Sequence, residues 1–195
     1  MARYTGPTLK RARALGLEPQ TLGVNKKSNR NPQRGNGKLS EYGLQLREKQ
    51  KAKFVYGVQE KQFRKLFAKA SKMQGITGEN LLLLLELRFD NVIYRMGFAK
   101  TRNEAKQLIS HGHFTINGQK VDIPSYTCSV GDVVAVREKS RSNAIFKETE
   151  GKVWNQAKWV DVNIEKLEGK IAAKPEREDI DFEIEERLIV ELYSK

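Results

Sequence analysis

Cysteine is almost missing from this 195-residue chain: Cys128 is its only one. A single thiol excludes an internal disulfide and any thiolate metal cluster. Long apolar runs are lacking too. Leu81 to Leu85 is the longest leucine run, whereas a bilayer span needs ~20 apolar residues. No apolar h-region stands near the start, so no signal peptide is expected. The reading is a cytoplasmic protein with no membrane partner. An organellar matrix or stroma stays open, because the Arg-rich, acid-poor start also suits a transit peptide. Histidine is scarce, and His111 and His113 have no gathered carboxylates beside them. With Cys128 as the one sulfur they make no ligand set, so neither metal nor cofactor is expected. Gly35-Asn36-Gly37-Lys38 lacks the flanks of a phosphate-binding loop. Asp90 reads as a partner for a nearby arginine rather than a general base. Nothing here assembles an enzyme.

Positive charge is abundant instead. The net charge is +12, with 31% charged and 38% hydrophobic residues. Residues 1–80 carry 18 Lys and Arg against 5 Asp and Glu, residues 81–150 carry 10 against 8, and residues 151–195 carry 8 against 11. A basic end beside an acidic one implies a polyanion partner for the first and basic neighbours for the second.

Asn25 to Lys38 has almost nothing apolar to bury and cannot repay its own ordering entropy. Lys26, Lys27, Arg30, Arg34 and Lys38 make nucleic acid its expected partner. Ser40 caps a helix running to about Tyr56, with Gly57 as its break and a dense series at Arg47, Lys49, Lys51 and Lys53. A second helix, Val58 to Met73, turns Phe63, Leu66, Phe67 and Ala70 inward and Arg64, Lys65, Lys69 and Lys72 outward. Thr77 caps a leucine-rich helix starting near Asn80. Whether that helix continues through Arg88 or breaks there is open.

In the stretch from Arg88 to Val136, Leu85, Phe89, Val92, Ile93 and Met96 form an apolar stripe that Gly97 ends. Thr101 and Glu104 form a capping box for the next helix, which buries Ala105, Leu108 and Ile109 and turns Arg102 and Lys106 outward. Asn117-Gly118 marks a hairpin, with Val121 and Ile123 on the return, and Gly131-Asp132 leads into a strand at Val133 to Val136. Ser140 to Lys158 reads as a linker or ragged helix. Trp159 to Val162 and Leu167 to Ile171 read as strands, and Ile184, Leu188, Ile189 and Leu192 mark a final amphipathic helix.

The motifs Arg88-x-Asp90-Asn91, Tyr94-Arg95-x-Gly97, Thr101-Arg102, His111-Gly112-His113 and Asn117-Gly118 resemble the S4-type RNA-binding domain, in which two helices and a small sheet present a basic surface to structured RNA. The likeness extends over the flanks. Ala2-Arg3-Tyr4, Tyr42-Gly43-x-Gln45-Leu46-Arg47-Glu48-Lys49, Thr77-Gly78-Glu79-Asn80 and Leu188-Ile189-Val190-Glu191-Leu192-Tyr193 are similar to the bacterial ribosomal protein S4 family. Many members hold zinc through clustered cysteines near the N-terminus. Thr8 to Gly35 has none, so the likeness is to the zinc-free branch.

The resemblance implies an α+β fold: a basic arm and loop at 1–39, a helical domain at 40–87 completed by 160–195, and an inserted RNA-binding domain at 88–150. Residues 151–195 supply C-terminal strands and a helix packing back on the helical domain. It also implies a primary binder of small-subunit ribosomal RNA at a helix junction of the 5′ domain, nucleating assembly and supporting translational accuracy. Ribosomal protein S5 and other small-subunit proteins are implied neighbours, with messenger RNA passing near Arg34 and Lys38. RNA contacts are assigned to Arg88, Arg95, Lys100, Arg102, Lys106, His111 and His113 in the central domain. In the N-terminal part they fall to Arg3, Tyr4, Lys10, Arg11, Arg13, Arg47, Lys49, Lys53, Arg64 and Lys69, besides the loop cations above. Reversing Arg95 and Arg102 to glutamate is expected to abolish binding without unfolding. Gln45, Leu46, Glu186, Glu191 and Tyr193 are assigned to the protein interface, with the acidic residues divided between interface and solvent and Leu188 assigned to the core.

Overall fold

The computed structural model describes residues 4–24, 39–147 and 156–194. The chain forms two compact units, Met1–Leu82 with Ile180–Lys195, and Leu83–Asp179.

In the first unit, α1 (Thr8–Leu15) ends at Gly16 in the left-handed region and a 3-10 turn follows at Pro19–Leu22. The next helix, α2 (Glu41–Tyr56), starts where the Ser40 hydroxyl accepts the Gly43 N–H at 3.2 Å, and ends at Gly57. Its successor α3 (Glu60–Ala70) buries Phe63 and Ala70. Thr77 is the first residue of α4 (Thr77–Glu86), not its cap. Leu81, Leu82, Leu84 and Leu85 are all buried.

The chain breaks at Arg88, whose backbone is extended, before α5 (Phe89–Arg95). Tertiary hydrogen bonds impose the break. The Phe89 and Asp90 N–H groups donate to the carbonyls of Tyr126 (2.8 Å) and Pro124 (3.1 Å), and Cys128 N–H donates to the Leu87 carbonyl at 2.9 Å. A loop more than thirty residues downstream thus satisfies the donors that a helix start leaves open.

Gly97, in the left-handed region, closes α5. Thr101 then starts α6 (Arg102–Ser110), its hydroxyl accepting the Glu104 N–H at 3.1 Å, while the Glu104 carboxylate accepts the Lys100 N–H at 2.7 Å. At the hairpin of β1 (Phe114–Ile116) and β2 (Gln119–Lys120), Asn117 and Gly118 both have positive φ, 50° and 81°, which suits a type I′ turn. The second strand stops at Lys120, so Ile123 does not pair and stands exposed. The third strand, β3 (Val133–Val136), is followed by two short helices, α7 (Glu138–Arg141) and α8 (Ala144–Lys147).

β4 (Val160–Asn163) and β5 (Glu168–Ile171) correct the domain assignment, because they do not complete the helical domain. They extend the sheet, which among the described residues is antiparallel in the order β2-β1-β3-β5-β4, with Val134 opposite Gly169. The free edge of β3 is thereby covered, and Val160, Leu167 and Ile171 gain a core to enter. Glycine is needed at 169 because a Cβ there would lie 2.8 Å from the Met96 sulfur. The expected stripe of Leu85, Phe89, Val92, Ile93 and Met96 is buried throughout.

Only 180–195 returns to the first unit. There α9 (Glu186–Ser194) packs along α2. Tyr193 stacks on Phe67 with ring centroids 4.6 Å apart and donates its hydroxyl to Glu60 at 2.9 Å.

Candidate nucleic-acid interface

The cations of the second unit hold the largest departure from expectation. Arg88, Arg95, Arg102 and Lys106 are only 4, 4, 6 and 9% exposed. Arg88 forks onto Asp90 (Nε–Oδ1 3.1 Å, Nη2–Oδ2 2.8 Å), and Arg95 forks onto Glu86 (3.0 and 2.9 Å). Asn91 links the two helices by donating to Glu86 at 2.7 Å and accepting from Arg102 Nε at 2.8 Å. The Arg102 guanidinium also lies 4.3 Å from the Tyr94 ring centre. Lys106 Nζ is 3.7 Å from Asp90. Burial holds its pKa below the ordinary lysine value, assisted by Arg88 and Arg102 and opposed by Asp90.

Arg102 and Lys106 therefore do not turn outward, and these four side chains form no exposed basic shelf. The physical reason is the width of the buried face. On α6 it takes in Arg102, Ala105, Lys106, Leu108 and Ile109, and Glu86, Asp90 and Asn91 accept charge inside it. Buried ions survive only when paired and hydrogen-bonded, as these are. Asp90 does serve as an arginine's partner.

Exposed side chains of this unit lie elsewhere. Lys100 precedes α6, His111 follows it, and Asn103, Gln107 and Ser110 occupy its outer face. Charge-led reading missed the last three because they are neutral; their signal is the spacing i, i+4, i+7 opposite Ala105, Leu108 and Ile109. His113 is half-buried with Nδ1 2.9 Å from the Ser140 hydroxyl. Burial, with His111 and Arg137, holds its pKa below the ordinary histidine value. Burial likewise pushes the Cys128 thiol up, aided by Asp132 and Asp90. Among the described residues, no three His, Cys, Asp or Glu gather as a metal site.

In the first unit the cations divide. Lys61, Arg64, Lys65, Lys69 and Lys72 stand exposed along and just beyond α3, and Lys10 is exposed on α1. Others are engaged within the unit. Arg11 lies 4.8 Å from the Tyr4 ring centre and 5.3 Å from that of Phe54, and donates to Gln50 at 3.2 Å. Arg13 donates to the Leu9 carbonyl. Arg47 covers the end of α1, where a Cβ on Gly16 would meet it at 3.0 Å. Lys49 and Lys53 pair with Glu60 at 3.2 and 2.6 Å. Burial raises the Glu60 carboxyl, but hydrogen bonds from Lys53, Tyr193 and Lys49 outweigh it and bring the pKa to about 2. Arg3, Lys26, Lys27, Arg30, Arg34 and Lys38 lie outside the described residues.

The protein-facing assignments shift as well. Gln45 is fully buried, donating to Glu41 (3.2 Å) and Glu191 (3.3 Å), so it cannot face a neighbour. The α2–α9 seam, which helical periodicity alone does not locate, draws it in. Leu46, Glu186 and Leu188 are half-buried, with Glu186 against Gly78, and Ile189 is the fully buried residue of α9. The exposed apolar groups at the start of α2 are Leu39, Tyr42 and Leu44.

Residues 3–86 match the family described as "Ribosomal protein S4/S9 N-terminal domain", and residues 87–134 match the "S4 domain". The chain is 56% identical to "Small ribosomal subunit protein uS4A" of Alkaliphilus oremlandii. It is 54% identical to "Small ribosomal subunit protein uS4" of Lachnoclostridium phytofermentans and 51% identical to that of Clostridioides difficile. Each alignment covers 100% of both chains. With both domains matched and full-length identity above half, this chain belongs to the small ribosomal subunit protein uS4 family.

Proposed function

We propose that this chain is a structural component of the bacterial small ribosomal subunit that binds ribosomal RNA at a helix junction of the 5′ domain, nucleates assembly there and, with its neighbours, supports translational accuracy. The full-length similarity to uS4 proteins carries the reading. The family is one of ribosomal proteins and not of enzymes, and no described helix is long and apolar enough to cross a membrane. A cytoplasmic location follows from residence in the ribosome.

Surface chemistry assigns the parts. Lys10, Arg64 and Lys69, with Lys61, Lys65 and Lys72 beside them, offer free-standing ammonium and guanidinium groups to phosphates. In the second unit Lys100 and His111 are the exposed members of the expected set. Arg88, Arg95, Arg102 and Lys106 act on RNA through the fold they hold. Leu39, Tyr42 and Leu44, with Leu46 and Glu186, form the surface for S5 and other protein neighbours. Arg34 and Lys38 are assigned to passing messenger RNA.

Sedimentation of tagged protein tests the reading. Stoichiometric, salt-resistant residence in small subunits is expected; free, substoichiometric protein would overturn it. A footprint on naked small-subunit RNA should fall at the 5′-domain junction.

A further inference from the structure

Two Asn-Gly pairs occur in the chain, Asn36-Gly37 and Asn117-Gly118, and the second stands exposed at the tip of the β1–β2 hairpin. In such a pair the glycine has no Cβ to shield its backbone nitrogen, so that nitrogen can attack the asparagine amide. Nothing would lie within 4 Å even of a Cβ added at Gly118, so the turn is open to water. The Asn117 side chain is nevertheless tied down. Its Nδ2 donates to Asp132 Oδ1 at 2.9 Å, and its Oδ1 accepts the Val133 N–H at 2.9 Å. The backbone adds a third tie, from Asn117 N–H to the Val133 carbonyl at 2.8 Å. Asp132 is fixed in turn, because its other oxygen accepts the Ser129 N–H at 2.8 Å. These partners stand at or just before β3, and the amide must let go of them to react.

We propose that Asn117 is a deamidation site that the folded hairpin corner holds back and that any opening of the corner releases. In the step, the Gly118 backbone nitrogen attacks Asn117 Cγ. The N–Cγ bond forms, the Cγ–Nδ2 bond breaks, and ammonia leaves with the proton that Gly118 N–H gives up. Water then opens the cyclic imide at one of its two carbonyls. The product is aspartate or, with the main chain rerouted through the side chain, isoaspartate. Neither product fits the corner. A donor to Asp132 is replaced by an acceptor of like charge, and two ionised carboxylates repel across a 2.9 Å contact. Isoaspartate also lengthens the main chain inside the hairpin, against the pairing of Ile116 with Gln119. Opening speeds conversion and conversion keeps the corner open, so the change runs one way.

The test uses the full-length chain. The parent and an Asp132→Ala variant are held in mildly alkaline buffer, with and without denaturing urea. Proteolysis and mass spectrometry then read amide-to-acid conversion at Asn117 separately from that at Asn36. The folded parent should convert at Asn117 at least about tenfold more slowly than the unfolded parent, from the two side-chain hydrogen bonds alone. Folded Asp132→Ala should convert roughly fivefold faster than the folded parent, while the two unfolded chains convert alike. Equal rates in folded and unfolded parent, or parental protection in the variant, would overturn the proposal. Asn117→Asp supplies the aspartate product directly and should melt about 2–4 °C below the parent. Adding Asp132→Asn puts the donor back on the opposite side of the contact and should restore the melting temperature. Parental melting in Asn117→Asp, or no recovery in the double variant, would overturn the effect assigned to conversion. The urea comparison and the swap decide the matter even where Asp132→Ala fails to fold.

Discussion

The helices α3 and α6 use the same kinds of residue to opposite ends. On α3, Arg64, Lys65 and Lys69 project into solvent. On α6, Arg102 and Lys106 turn inward, and with Arg88 and Arg95 they surround two carboxylates and an asparagine. What separates them is an acceptor within reach on the hidden side. Glu86, Asp90 and Asn91 provide one for the second unit, whereas α3 buries only Phe63 and Ala70. A basic residue in an RNA-binding protein is thus not automatically a contact; it can be the strut that holds a contact in place.

The sharpest way to break this comparison is to reverse charge on each side. Arg95→Glu sets a new carboxylate against the buried Glu86 and should destabilise the second unit by about 3–5 kcal/mol, seen in urea denaturation as a lower midpoint at similar slope. Parental stability in that variant would show the network to be ornamental. Arg64→Glu with Lys69→Glu should leave unfolding unchanged and weaken binding to small-subunit RNA at least tenfold, with the salt slope lowered by about 1.5, in filter-binding titrations. Removing the cap with Thr101→Ala should cost the second unit about 1 kcal/mol, read as a lower melting temperature.

The smallest effect concerns pH. Glu60 is held at about 2 when folded against 4.5 when free. A lowered carboxyl pKa stabilises the fold above 4.5, and that contribution drains away as pH falls from 4.5 toward 2. Glu60 is partly exposed, so after solvent screening the amount is a few tenths of a kcal/mol, at most about 1. Chemical denaturation of the parent and Glu60→Gln at pH 7 and pH 3 should show the difference shrinking at the lower pH.

Local signals were legible in the sequence because the groups that answer them sit three or four residues away. Ser40 with Gly43, Thr101 with Glu104 and the Asn117-Gly118 turn all appear where spacing places them. Distant pairings were not. Arg95 meets Glu86 across a helix break that exists only because Tyr126 and Pro124 accept the N–H groups of Phe89 and Asp90. Gln45 disappears into the seam with α9 through Glu191, 146 residues away. The strands at Val160 and Glu168 could be read as strands, but β3 as their partner could not, since no periodicity states which edge is free.

The break before α5 and the late return of α9 set a timetable for the growing polypeptide. Phe89 cannot acquire its acceptor until Tyr126 has left the exit tunnel, and Glu60 waits 133 residues for Tyr193. At 5–20 residues per second, the α2 seam stays open for on the order of ten seconds while the intervening unit is synthesised and closes. The unit begun first is finished last.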